Sequence, residues 1–127
     1  MKQGGVKESM LVIEFDRDTA QPIDLFDSIA ASSIHLADGK GKAHVYCIYL
    51  ELGAEIGVHR AGFGQLFLVV EGSAWAAGGD GQRKSLSKGQ GAYFEKGEEH
   101  SKGSYEGASV IMVQVEGLRA GRREVIE

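Results

Sequence analysis

The chain has 127 residues, a net charge of −4 at neutral pH and a single cysteine. This length corresponds to one domain, and a negative charge without any basic stripe argues against nucleic acid as a partner. The sequence has neither an apolar run that could span a membrane nor a signal peptide, so we expect a soluble, cytoplasmic protein with no membrane partner. The lone Cys47 excludes an intramolecular disulfide, and its apolar surroundings predict a small buried side chain.

The 19 glycines, the single proline and the short apolar runs indicate an all-β chain. In chain order, the predicted strands cover residues 10–15, 32–36, 43–52, 65–70, 73–77, 83–86, 92–95 and 109–115. A turn at Glu71 and Gly72 is expected to separate two of them. Short strands joined by frequent turns favour a sandwich or a barrel. We expect a flexible segment at 1–9, a barrel domain at 10–117 and a tail at 118–127.

Residues 53–72 carry the pattern around which the chain is organised. Gly53 is followed by His59, then by Ala61, Gln65 and Gly72. Alternate residues of a strand point to the same side, so side chains at 59 and 61 share a face, and Gln65 can enter the same space from the next strand. One histidine and one amide are therefore expected to converge from two short segments.

A second pattern lies at residues 89–104, where Gly89, Gly97 and His100 stand at regular spacings with Glu95 and Ser104 between and after them. The two segments, in this order, resemble the two motifs of the cupin superfamily. The resemblance covers residues 53–104. It implies a small single-domain cupin, which is a jelly-roll β-barrel (double-stranded β-helix) with its ligand site inside.

The resemblance also implies metal ligands at four positions, three of which carry a donor atom here: His59, Gln65 and His100. Ala61 cannot be a ligand. A neutral glutamine offers a cation no negative charge, so we expect an incomplete site that holds a divalent transition metal (Fe, Ni, Zn or Mn) only weakly. His44, on the strand at 43–52, is either a replacement ligand or, as we favour, an ordinary strand residue. No nucleotide cofactor is expected.

Two functions agree with these residues. The first is a metal-dependent enzyme of the oxygenase, isomerase or lyase type, although Ala61 and Gln65 depart from a standard oxygenase. The second is a non-catalytic, metal-free cupin that binds a small organic molecule. The sequence assigns no catalytic residue. A general base in a metal-free enzyme would be His59 or His100, since imidazole titrates near neutral pH.

Aromatic residues close to the two patterns are candidates for the wall of a small-molecule pocket. The predicted pocket residues are His44, Phe63, Phe67 and Phe94, with Phe63 at the pocket mouth. The aromatic residues among them would equally suit the core of any barrel. The strand at 43–52 has two largely apolar faces, and this pattern predicts a homodimer that buries the second face.

Overall fold

The computed structural model describes residues 10–121 and 124–125. The predicted flexible segment at 1–9 lies outside them. The described residues form one short 3-10 helix at Arg17–Thr19 and the following strands: β1 (Leu11–Glu14), β2 (Gln21–Pro22), β3 (Ser32–Ser33), β4 (Ala37–Asp38), β5 (Ala43–Leu50), β6 (Glu55–Arg60), β7 (Gly64–Ala77), β8 (Arg83–Ser87), β9 (Gln90–Phe94), β10 (Glu99–Gly103), β11 (Ala108–Val115), β12 (Arg119–Ala120) and β13 (Glu124–Val125). No helix among these residues has the length and apolar character needed to cross a membrane.

Nine of the described strands form one antiparallel sheet that folds into two layers sharing the long strand β7. The order is β13-β1-β9-β7-β11-β5 in the first layer and β6-β10-β7-β8 in the second. The first part of β7 pairs with β9 and β11, and its last part pairs with β8 and β10. One strand thus carries the chain from one layer to the other.

Gly72 lies where β7 passes between the layers, and our prediction of a turn between two separate strands there is wrong. Gly72 has a φ of 78°, which residues with a side chain rarely adopt. A Cβ at this position would also collide with the backbone of Gly107. The register between β7 and β11 shifts nearby, between Ser109 and Val110. The distortion therefore bends the strand without ending it.

Apolar side chains fill both sides of the first layer. Between the layers, the buried core consists of Met10, Leu50, Phe67, Val69, Ala74, Ala76, Leu86, Ala92, Phe94 and Val110. On the outer side, a second cluster is formed by Ile13, Leu66, Leu68 and Tyr93, and it is covered by side chains on or next to β4 and β12. β12 pairs with β4 and β13 pairs with β1, so both strands of the predicted tail belong to sheets. Coverage on both faces explains the unbroken apolar run at 66–69.

The outer face of β5 has no such cover. Val45 and Tyr49 on this face are 65% and 71% exposed. Cys47 lies between them and is exposed as well, so our prediction of a buried thiol is wrong. The reason is that β5 is the last strand of its layer and no described segment packs over it.

Candidate functional site

The structure brings the two sequence patterns together through their histidines. His59 on β6 and His100 on β10 are direct cross-strand partners, with ring centroids 4.4 Å apart and ring planes at 52°. Beyond this pair, the Ala61 N–H donates to the Glu98 carbonyl at 3.0 Å, and the Gly97 N–H donates to the Ala61 carbonyl at 2.8 Å. Backbone hydrogen bonds therefore hold the two segments together at this end, and the register of β6 and β10 shifts on the other side of the pair, between His100 and Lys102.

His100 is a buried imidazole that makes no hydrogen bond to the described residues. It is 1% exposed, and neither Nδ1 nor Nε2 has a partner. Its ring packs on Phe94, with the centroids 4.6 Å apart. Burial lowers the pKa of His100 from 6.5 to about 3, with further contributions from the charges of Lys102 and His59. His100 is therefore neutral at physiological pH, with one donor and one acceptor unused.

His59 is exposed at the outer end of this pair. Its Nδ1 lies 2.7 Å from the carbonyl oxygen of Gly57. A carbonyl oxygen only accepts hydrogen bonds, so Nδ1 of the neutral ring carries the proton, and the lone pair is on Nε2. His59 thus presents an acceptor or a ligand atom at Nε2.

Gln65 is buried on β7, and its partner is a residue that the sequence did not single out. Oε1 of Gln65 accepts a hydrogen bond from Lys102 Nζ at 3.0 Å. Lys102 is 2% exposed, and Met112 Sδ lies 3.8 Å from its Nζ. Burial lowers the pKa of Lys102 from 10.5 to about 8. The interior therefore holds an amine beside the implied metal ligand.

The two-residue spacing between His100 and Lys102 would have identified Lys102 from the sequence. Lys102 follows His100 by two residues, so on one strand the two side chains share a face. Residues 99–103 were not predicted as a strand, because Glu, Ser, Lys and Gly have low β-propensity. Pairing with β6 and β7 overrides that propensity.

A row of polar side chains runs across the first layer at the level of Gln65. In the register of the strands, Gln65 is opposite Phe94 on β9 and Gln114 on β11, and Gln114 is opposite His44 on β5. His44 is exposed and stacks on Phe63, with centroids 5.9 Å apart and planes at 9°. This end of the layer therefore carries polar side chains, of which Gln65 is buried and His44 is exposed.

The predicted pocket residues occupy two different places. Phe67 and Phe94 are fully buried, and the Lys102 amine lies 5.5 Å from the centroid of each ring. His44 and Phe63 lie at the exposed end of the interior. The two buried rings thus lie beside the amine, while His44 and Phe63 lie nearer to solvent.

Two positions of the patterns have structural roles. Ser104 is buried, accepts a hydrogen bond from the Gly107 N–H at 2.7 Å and donates one to the Ser73 carbonyl at 2.6 Å. These two hydrogen bonds connect the turn between β10 and β11 to β7. Ala61 is buried as a small side chain and offers no donor atom.

These residues are a poor match for a divalent metal ion. No group of three or more His, Cys, Asp or Glu side chains able to hold a metal occurs in the described part of the chain. Gln65 Oε1 already accepts from an ammonium group, and a second cation on that oxygen would be repelled by several kcal/mol. Of the implied ligands, His59 and His100 then remain, and within residues 10–121 and 124–125 no carboxylate joins them as a third ligand.

Surface depressions of about 270 to 350 Å³ lie elsewhere on the molecule, and their walls contain none of His44, His59, Gln65, His100 and Lys102. One lies between the ends of β5, β7 and β11, and the others lie around Phe15 and Arg17. They are wide and open to solvent, and they contain no histidine.

No family profile and no curated protein matches the chain, but solved structures do. A cupin 2 domain-containing protein from Halorhodospira halophila has a TM-score of 0.60 at 13% identity, over 94% of this chain and 83% of that one. A cupin-like protein from Thermotoga maritima has a TM-score of 0.57 at 18% identity, over 83% and 92% of the two chains. A cupin superfamily protein from Desulfitobacterium hafniense has a TM-score of 0.54 at 13% identity, over 75% and 90%. The chain therefore has the all-β jelly-roll fold of the cupin superfamily, as its two sequence patterns predict.

Proposed function

We propose that this chain is a small-molecule-binding cupin whose interior site works without a metal ion. The observation that carries the proposal is the hydrogen bond from Lys102 Nζ to Gln65 Oε1, at 3.0 Å. It puts a lysine amine against the oxygen that a metal would need. Lys102 itself thus supplies a positive charge at the site.

The unused hydrogen-bonding groups indicate what kind of molecule the site binds. His100 offers one donor and one acceptor, and Lys102 has more donors than its contacts with Gln65 and Met112 use. The rings of Phe67 and Phe94 supply apolar walls. A small polar organic molecule with an acceptor oxygen matches this combination of a few polar groups and aromatic surface.

Metal analysis and native mass spectrometry on the untagged protein, purified without chelator, test this proposal. We expect no stoichiometric transition metal, even after incubation with excess iron, nickel, zinc or manganese. We also expect a small organic ligand that is retained by the wild type and lost from His100→Ala. Near-stoichiometric metal in the wild type would overturn the proposal.

A second candidate is a metal-dependent enzyme with a weakly held divalent ion. The proximity of His59 and His100, at 4.4 Å between centroids, favours it, since Nε2 of His59 and the unprotonated nitrogen of His100 are free to bind. Water or substrate would have to supply the other ligands. Under this alternative, the same elemental analysis finds metal in the wild type, and His100→Ala removes it.

A further inference from the structure

Lys102 differs from the other described lysines in its surroundings. Lys40, Lys42, Lys88 and Lys96 are exposed and Lys84 is half-buried, whereas Lys102 is 2% exposed. Its amine touches a neutral amide and a thioether and lies between two phenyl rings. No carboxylate among the described residues lies within ion-pair distance of it.

A purely structural role for this lysine is unfavourable. Removing an ammonium from water without a counter-ion costs several kcal/mol, and a methionine or leucine would fill the same space without that cost. The single hydrogen bond to Gln65 offsets only a small part of this desolvation cost. A desolvated primary amine in an apolar pocket is instead the arrangement in which lysine acts as a nucleophile toward carbonyl groups.

We propose that Lys102 forms an imine with a small carbonyl compound bound in the interior, an inference that rests on the proposed small-molecule site. The ammonium group first loses a proton to solvent; the Nζ lone pair of the free amine then attacks the carbonyl carbon, and the π electrons of the C=O bond move to oxygen, which takes up a proton as nitrogen loses one. The resulting carbinolamine then expels water as the C=N bond forms. The net reaction joins one amine and one carbonyl compound and releases one water, with no change of oxidation state.

The neighbouring side chains have distinct positioning roles in this step. Gln65 Oε1 accepts one N–H of the amine and so fixes its orientation. His100, on the same face of β10, has a free donor for the carbonyl oxygen and its hydroxyl product. Phe67 and Phe94 keep bulk water away from the imine carbon. We place the entry of the carbonyl compound beside His44, because His44 is exposed at the level of Gln65.

Reductive trapping on the wild-type protein tests the inference directly. The protein is incubated with pyruvate, glyoxylate or acetaldehyde and then with sodium cyanoborohydride, which converts an imine into a stable secondary amine. Each adduct adds the mass of the probe less one oxygen atom. Cleavage after glutamate then releases residues 100–106, HSKGSYE, whose only lysine is Lys102.

We expect the 100–106 peptide to carry the adduct of at least one probe at a yield roughly tenfold above that of peptides with exposed lysines. Lys102→Arg, which keeps the charge, should abolish this adduct, and Lys96→Arg should leave it unchanged. Labelling spread evenly over the lysines, or absent from this peptide, overturns the inference. The wild-type peptide map decides the question even if Lys102→Arg does not fold.

A thermal-shift series with the same probes separates this inference from the proposed function. Lactate and ethanol have the same carbon skeletons as pyruvate and acetaldehyde but cannot form an imine. Stabilisation by lactate or ethanol without trapping by the matching carbonyl compound means that the site binds small molecules but Lys102 is not the nucleophile. Stoichiometric uptake of a transition metal, by contrast, overturns the proposed function itself.

Discussion

Lys102 and Gln65 form a buried hydrogen bond between the two layers of the jelly roll, with 3.0 Å between Nζ and Oε1. Because Gln65 is neutral, the bond orients the ammonium group without cancelling its charge. Burial accordingly lowers the pKa of Lys102 to about 8. This lysine therefore couples the stability of the fold to pH in a range where most proteins have no buried group that titrates.

The free energy of unfolding should rise as Lys102 loses its proton. The pKa of Lys102 is lowered from 10.5 to about 8 by folding, so between these pH values the unfolded chain binds more protons than the folded one. Stability therefore increases with pH across this window, by roughly 3 kcal/mol if the shift is fully expressed. Urea unfolding of the wild type and of Lys102→Met at several pH values measures this effect. The difference between their free energies of unfolding should change by about this amount across the window.

Lys96→Met is the matched control for this experiment, since Lys96 is exposed. Its difference from the wild type should stay constant with pH, because both states solvate the amine alike. Contributions from the other titratable groups are common to the wild type and the variants and cancel in the comparison. A constant difference between the wild type and Lys102→Met would show that the Lys102 amine is solvated in the folded protein.

His100→Leu should keep or raise the stability of the protein while removing ligand binding. A buried imidazole with two unpartnered nitrogens destabilises the fold by about 1–3 kcal/mol, and leucine packs against Phe94 without that penalty. Urea unfolding at pH 7.5 measures the change, and native mass spectrometry measures ligand retention. Ser104→Ala is the control, because Ser104 holds two backbone hydrogen bonds and its loss should only destabilise.

Acid should affect the wild type more than this variant. Folding lowers the pKa of His100 to about 3. Below pH 6.5, His100 therefore binds a proton in the unfolded chain but stays neutral in the folded protein. The contribution of His100 to the free energy of unfolding is therefore fully present above pH 6.5 and decreases as the pH falls toward 3. His100→Leu lacks this dependence on pH. If the free energies of unfolding of the two proteins decrease in parallel as the pH is lowered, the burial of His100 is contradicted.

The fold and the two histidines were predictable from the sequence because they depend on spacing. Short strands and frequent turns predicted an all-β sandwich or barrel, and the resemblance of the two patterns to the cupin motifs implied a jelly roll, which the similar solved structures confirm. His59 and His100 stand at the corresponding ends of the two patterns, and antiparallel pairing of β6 and β10 sets them opposite each other. Spacing along the chain was enough to identify both without knowledge of the packing.

Lys102 and the course of β7 were not predictable in the same way. The segment containing Lys102 is rich in polar residues and glycine, and only tertiary pairing makes it a strand whose alternate residues face inward. Glycine at 72 is typical of a turn, yet its positive φ here bends a continuous strand. Both features depend on contacts between distant segments, which local propensity does not contain.

The predicted homodimer has a candidate surface on β5. Val45 and Tyr49 are largely exposed on its outer face, and the strand has only one described sheet neighbour, β11. A second copy of the chain could cover this face and pair with this edge. Sedimentation velocity at micromolar concentration should show a dimer, and Tyr49→Glu should shift it toward monomer by placing a charge in the interface.

Ile29→Glu is the control for surface charge, since Ile29 is an exposed apolar residue in the loop between β2 and β3. It should sediment like the wild type. A wild-type monomer would contradict the prediction of a dimer, and a Tyr49→Glu dimer as stable as the wild type would place the interface elsewhere.

Lys102→Glu should convert the interior into a metal site. The substitution removes the ammonium beside Gln65 and supplies a carboxylate on the same face of β10 as His100, with His59 opposite. Two imidazoles, an amide oxygen and one negative charge are ligands that divalent transition metals accept, so affinity for Zn²⁺ or Ni²⁺ should rise by at least about tenfold over the wild type. Isothermal titration calorimetry measures it, and Lys102→Gln, which removes the charge without adding one, should fall between the two. If the wild type binds metal as tightly as Lys102→Glu, the lysine does not exclude the ion, and the metal-dependent alternative gains support.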